Sequence, residues 1–125
     1  MKPAPMIAAL VPLVLALSAL TPLAASPAVP PAANQCMACH TVQKGVPSGV
    51  GPNLNGVYGR LAGTAPGFNY SSALKASKLR WDDRTLDAFL AAPIRKVPGT
   101  RMTISVPDPA RRAALIAWLK GLHAK

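Results

Sequence analysis

Apolar residues run almost without a break from position 6 to position 25, through Ile7, Leu10, Val11, Leu13, Val14, Leu15, Leu17, Leu20 and Leu23. Downstream the pattern becomes periodic. Leu86, Phe89 and Leu90 recur at helical spacing behind Asp82 and Asp83, either of which can cap a helix reaching about Ala92. Pro93 should end that helix. Leu115, Trp118, Leu119 and Leu122 form a second stripe, opened by Asp108 as capping acid and Pro109 at the first helical position. Lys120, His123 and Lys125 suit the negative end of this last helix. A shorter helix is expected over residues 71–77, with Ser71 as its cap. Between these elements, residues 46–60 are rich in Gly, Pro and Asn and read as loop. Residues 97–106 read as a second loop, carrying Pro98, Gly99 and Met102. No strand-like alternation and no internal repeat is present. The pattern predicts a small all-α fold.

The first apolar run changes the domain picture. Lys2 precedes it, and Ser26-Pro27-Ala28 supplies small residues for cleavage before Val29. Pro12 and Pro22 interrupt the run, and its core is short for a membrane span of about 20 residues. Residues 1–28 are therefore expected to be a cleavable secretory signal, with a retained anchor as the competing reading. Residues 29–35 extend an Ala/Pro-rich linker, and residues 36–125 form one small domain.

Charge narrows the partners. Fourteen Lys and Arg face four Asp and Glu, a formal net charge of +10. Such a balance fits nucleic acid, an anionic membrane or an acidic protein. The basic residues are scattered and no nucleic-acid-binding motif is present. An acidic protein partner fits an exported chain best.

Candidate chemistry is concentrated in Cys36-Met37-Ala38-Cys39-His40. Two thiols three apart, followed directly by histidine, form the attachment pattern of c-type haem. One helical turn can present both sulfurs to the haem vinyl groups and the imidazole to the iron. A disulfide, a redox dithiol and half a zinc site use similar spacing. Zinc needs about four ligands, and the one further Cys or His is His123. A redox dithiol belongs with a βαβ pattern that is missing here. A haem that only carries electrons needs a second axial ligand. The candidates are Met37, trapped between the two cysteines, and Met102, in a loop long enough to close over the haem. A Met/His pair raises the reduction potential.

The order and spacing of these words resemble class I cytochromes c, the mitochondrial and bacterial c2-like group. The matching residues are Cys36 to Val42, Gly51-Pro52-Asn53-Leu54-Asn55-Gly56, Gly59-Arg60, Ala65-Pro66-Gly67-Phe68 with Tyr70, Trp81, Pro98-Gly99-Thr100-Arg101-Met102 and Leu115-Ile116-Ala117-Trp118-Leu119. The resemblance implies a small all-α cytochrome c fold around one haem c, attached through Cys36 and Cys39. It implies His40 and Met102 as iron ligands. Pro52 would accept a hydrogen bond from His40. Arg60, Tyr70 and Trp81 would contact the propionates, and Thr100 would help pin the ligand loop. Lys44, Arg95, Lys96 and Arg101 would belong to a basic ring that docks acidic redox partners, with Arg101 and Lys96 the leading members.

The implied function is a one-electron carrier of the bacterial periplasm, which catalyses no reaction alone. A haem subunit of a periplasmic oxidoreductase is the alternative. A peroxidase-like or gas-binding haem would need an open sixth site, which Met102 argues against.

Three departures from the family stand out. The usual N-terminal helix, which crosses the last helix, is expected to be reduced or missing. Ala28 and Ala32 fill its Gly and aromatic places, among Pro27, Pro30 and Pro31. The stripe at Leu115, Trp118 and Leu119 would then lack its partner. Phe89 replaces a common Tyr, and Leu74 a common Asn, so a drier haem pocket is expected.

Overall fold

A computed structural model describes residues 1–5, 9, 21–22 and 28–123. Most of the apolar run expected as an export signal lies outside the described residues, as does Lys125. Among the described residues, no helix is long and apolar enough to cross a membrane.

Five helices follow in order: α1 (Ala33–Met37), α2 (Ser72–Ala76), α3 (Asp83–Ala91), α4 (Pro93–Lys96) and α5 (Pro109–Gly121). The caps read from the sequence do local work. Ser71 accepts from the Leu74 N–H at 3.2 Å and starts α2. Asp82 accepts from the Thr85 N–H at 2.8 Å while the Thr85 hydroxyl accepts from the Asp82 N–H at 2.9 Å, a reciprocal box that starts α3. Asp108 accepts from the Ala110 N–H at 2.9 Å ahead of Pro109, starting α5.

Two short helices depart from the expectation. Pro93 ends α3 but also opens α4, because its fixed φ suits a first helical turn as well as it blocks a continuing one. Pro30 and Pro31 likewise open α1: their carbonyls accept from Ala33 and Asn34 at 2.9 and 3.2 Å. Helix therefore begins inside the stretch expected to be linker, and the N-terminal helix is reduced to five residues.

α3 packs on α5 and on α4. Leu86, Phe89 and Leu90 from α3 join Leu115, Ile116, Trp118 and Leu119 from α5 in one buried cluster, together with Trp81, Val57 and Ala33. Ala33 and Leu115 are fully buried. The α5 stripe is thus covered despite the shortened N-terminal helix. The far end of α5 is tied to a loop as well. Lys120 pairs with Asp83 at 2.7 Å and lies 5.0 Å from the Tyr58 ring centroid, and the Gly56 N–H donates to the Leu122 carbonyl at 2.6 Å. Among the described residues, the one extended pairing is an isolated bridge between Leu61 and Arg80.

Candidate haem site

The helices and loops enclose a cavity of about 450 Å³, within the usual size range of cofactor sites. Cys36, Cys39, His40, Pro52, Arg60, Tyr70, Trp81, Thr100 and Met102 all line it. The sequence therefore scattered over 67 positions, from Cys36 to Met102, what the fold gathers around one space. Most of the remaining wall is apolar, including Leu54, Val57, Leu86, Leu90, Leu115 and Leu119. Phe89 and Leu74, the two apolar departures, face the same space.

α1 ends at Met37, and the chain continues as a tight turn. The Cys39 and His40 N–H groups both donate to the Cys36 carbonyl, at 3.1 and 2.9 Å. That turn brings both half-buried cysteines and the imidazole to the cavity; neither cysteine is in a disulfide. Burial pushes the Cys36 thiol above its ordinary pKa. Nδ1 of His40 lies 2.7 Å from the Pro52 carbonyl. A carbonyl only accepts, so Nδ1 carries the proton and Nε2 keeps its lone pair. Burial lowers the His40 pKa, and the bond to Pro52 opposes that shift. The lowered pKa favours the neutral imidazole, which is the metal-binding form.

Other residues hold this arrangement. The Gly51 N–H donates to the Cys39 carbonyl at 2.8 Å, and the His40 ring lies directly against Gly51. A Cβ there would sit 2.6 Å from Nδ1 and 2.8 Å from Nε2. Asn53 donates through Nδ2 to the Gln43 and Val46 carbonyls at 2.8 and 2.7 Å, and accepts from the Asn55 N–H at 2.8 Å. Arg60 donates to the Asn55 and Asn53 carbonyls at 3.1 and 3.2 Å, so it braces the loop as well as facing the cavity. The Tyr70 hydroxyl accepts from the Ala65 N–H at 3.1 Å, which leaves its own proton for a further acceptor. Phe68 packs edge-on to Tyr70, with centroids 4.8 Å apart. Thr100 accepts from the Met102 N–H at 3.3 Å. Gly51 and Asn53 belong to a motif read from the sequence, but their bracing contacts were not read there.

The four cations expected as a docking ring are all exposed, on three segments of the chain. Arg95 and Lys96 are exposed on α4. Lys44 is exposed in the loop after the haem motif. Arg101 donates to the Asn69 carbonyl at 2.7 Å, joining the Met102 loop to the loop before Tyr70.

An apolar cavity with two thiols, a neutral imidazole, a thioether and a few polar donors fits haem c. The apolar walls suit a porphyrin plane, and Arg60, Tyr70 and Trp81 can meet its carboxylates. The all-α shell and this donor set define a c-type haem protein. No family model matches the chain. The chain is 49% identical over 94 residues to cytochrome c2 iso-2 of Magnetospirillum fulvum, covering 74% of this chain and 97% of that one. It is 47% identical over 91 residues to cytochrome c2 of Rhodoblastus acidophilus, covering 72% and 85%. Its fold matches cytochrome cH from Methylobacterium extorquens with a TM-score of 0.67 at 45% identity, over 71% of this chain and 90% of that one. It matches cytochrome c2 from Rhodospirillum centenum with a TM-score of 0.70 at 34% identity, over 74% and 92%. The chain belongs to the class I c-type cytochromes, electron-transfer proteins rather than enzymes. Its cofactor is covalently attached haem c, and Cys36 and Cys39 have the attachment spacing.

Proposed function

We propose that this protein carries single electrons between redox partners in the bacterial periplasm, with His40 and Met102 as the axial ligands of its haem iron. The observation that carries this reading is the convergence of both side chains on the cavity that receives Cys36 and Cys39. When bound, haem supplies an iron centre that gains and loses one electron. The protein fixes what surrounds it. Pro52 holds the His40 tautomer that leaves Nε2 available. Met102 supplies a soft thioether that favours ferrous iron. Arg60, Tyr70 and Trp81 meet the propionates, and Thr100 steadies the Met102 backbone. Phe89 and Leu74 make the pocket drier than a Tyr and an Asn would.

Residues 1–28 direct export, and the domain from Cys36 onward does the work. Arg95, Lys96 and Lys44 attract acidic partners, so electron transfer slows as salt rises. Arg101 is exposed as well and keeps its charge while donating to the Asn69 carbonyl, so it belongs to the same surface. The subunit alternative drew support from an uncovered α5 face; burial of Leu115, Trp118 and Leu119 removes that support.

The optical spectra of the purified protein in both oxidation states test the reading. A low-spin covalent haem with a methionine-to-ferric-iron band is expected. That band should vanish in Met102→Ala, and its persistence would place the ligand elsewhere.

A further inference from the structure

Residues 100–106 carry Met102 between α4 and α5 without helical or strand pairing. The upstream end is tied down by the Thr100 N–H to the Val97 carbonyl at 3.0 Å and by Arg101 to Asn69. The downstream end is Val106, which is buried and lines the haem cavity. Its N–H donates to the Leu90 carbonyl of α3 at 2.7 Å. Its own carbonyl accepts from Nη1 of Arg112 at 3.0 Å. The same nitrogen donates to the Pro107 carbonyl at 2.7 Å, and Nε of Arg112 donates to Asp87 of α3 at 2.7 Å.

The Arg112 side chain is only 11% exposed. One largely buried guanidinium therefore gathers a carboxylate from α3 and two carbonyls from the chain leaving the Met102 loop. An ordinary bridge between helices would need Asp87 alone. The planar fork can serve acceptors in several directions at once, which a lysine ammonium on its flexible stem does less well. Three residues lie between Met102 and Val106, so the four steps reach at most about 14 Å. Where Val106 is held limits where Met102 can go.

We infer that Arg112 is a positioning residue for Met102: it clamps the downstream end of the ligand loop and so keeps the thioether seated. The inference rests on Met102 being the iron ligand. A loop released at this end opens more often, and a competing ligand then binds in proportion to the open fraction.

The test titrates the ferric holoprotein with imidazole and follows the haem spectrum. Arg112→Met should bind imidazole roughly tenfold more tightly, from the loss of charge-assisted hydrogen bonds. Asp87→Asn leaves the carbonyl contacts in place and should shift affinity less. Lys120→Met breaks the other ion pair between α3 and α5 without touching the loop, and should leave affinity at the wild-type value even if it lowers the melting temperature. Unchanged affinity in Arg112→Met, or an equal gain in Lys120→Met, overturns the inference. Should Arg112→Met fail to accumulate as holoprotein, Arg112→Lys must bind imidazole more tightly than Asp87→Asn; the reverse order overturns it. Met102→Ala separates the two levels. If it binds imidazole no more tightly than wild type, the ligand reading itself fails. If it binds tightly while Arg112→Met does not, only the role of Arg112 fails.

Discussion

Around His40, the chain is held by bonds inside its own loop. The Pro52 carbonyl accepts from His40 Nδ1, Gly51 reaches back to Cys39, Leu54 to Thr41 at 2.8 Å, and Asn55 to Val42 at 3.1 Å. Around Met102, the nearest bond is a 3.3 Å contact to Thr100, and residues 103–105 are exposed until Val106 is reached. One side is braced at nearly every residue, and the other is a tether fixed at its ends. Local stability follows the density of such constraints. Heat, denaturant and competing ligands should therefore displace Met102 well before they disturb His40.

The most forceful way to break this contrast is to damage the braced side. Gly51→Ala places a Cβ against the His40 ring, which cannot retreat without losing Pro52. The expected cost is about 2–3 kcal/mol, at the upper end for overpacking, read from denaturant unfolding of the holoprotein. Wild-type stability in this variant would show that the ring has room to move. Asn53→Ala should cost less, about 1–2 kcal/mol, through two lost donors and one lost acceptor. Its methionine band should persist at temperatures where only the His40 loop is weakened; early loss of that band would mean that the two sides are coupled.

Both sides were legible in the sequence to different depths. Caps and helix starts at Ser71, Asp82 and Asp108 depend on residues within three positions, so a local reading finds them. The haem motif is legible because its spacing carries its chemistry, and Pro52 because its place matches the family it resembles. α4 is not legible because Pro93 reads as the end of α3, although a proline also suits a first helical turn; the first helix, expected to be reduced or missing, is the five-residue α1. Arg111 and Arg112 look alike in sequence, yet Arg112 is the clamped one. Its acceptors are backbone carbonyls and an α3 carboxylate that only the tertiary fold brings close. The bond from Arg101 to Asn69 is hidden for the same reason, because the two lie 32 positions apart.

On the tethered side, Thr100→Val removes the hydroxyl that accepts from Met102. Because that bond is long, the global loss should stay below about 1 kcal/mol. Imidazole affinity should nevertheless rise severalfold, since the loop has few other restraints near its ligand. A large global loss with unchanged imidazole affinity would reverse the comparison, making Thr100 a fold residue rather than a loop restraint.

The smallest effect on the site is expected from Asp82, at the end of α3 remote from Leu90 and the Val106 anchor. Bonds from the Thr85 N–H and hydroxyl hold its carboxyl below the usual 3.8. A depressed carboxyl stabilises the folded state fully above the unfolded value and loses that contribution as pH falls through the folded one. The stability gap between wild type and Asp82→Ala should therefore be constant above pH ~5 and shrink below 3.8. Asp82→Asn keeps a cap without the charge, so its gap to Asp82→Ala should not vary with pH. Urea midpoints of the three holoproteins across that range measure both gaps. Imidazole affinity, counted per unprotonated imidazole, should be the same in all three at each pH, because the fraying is confined to the first turn of α3. A rise in affinity that tracks the acid loss would show that α3 transmits its whole length to the Met102 loop, and that the tether is anchored less locally than Arg112 and Leu90 suggest.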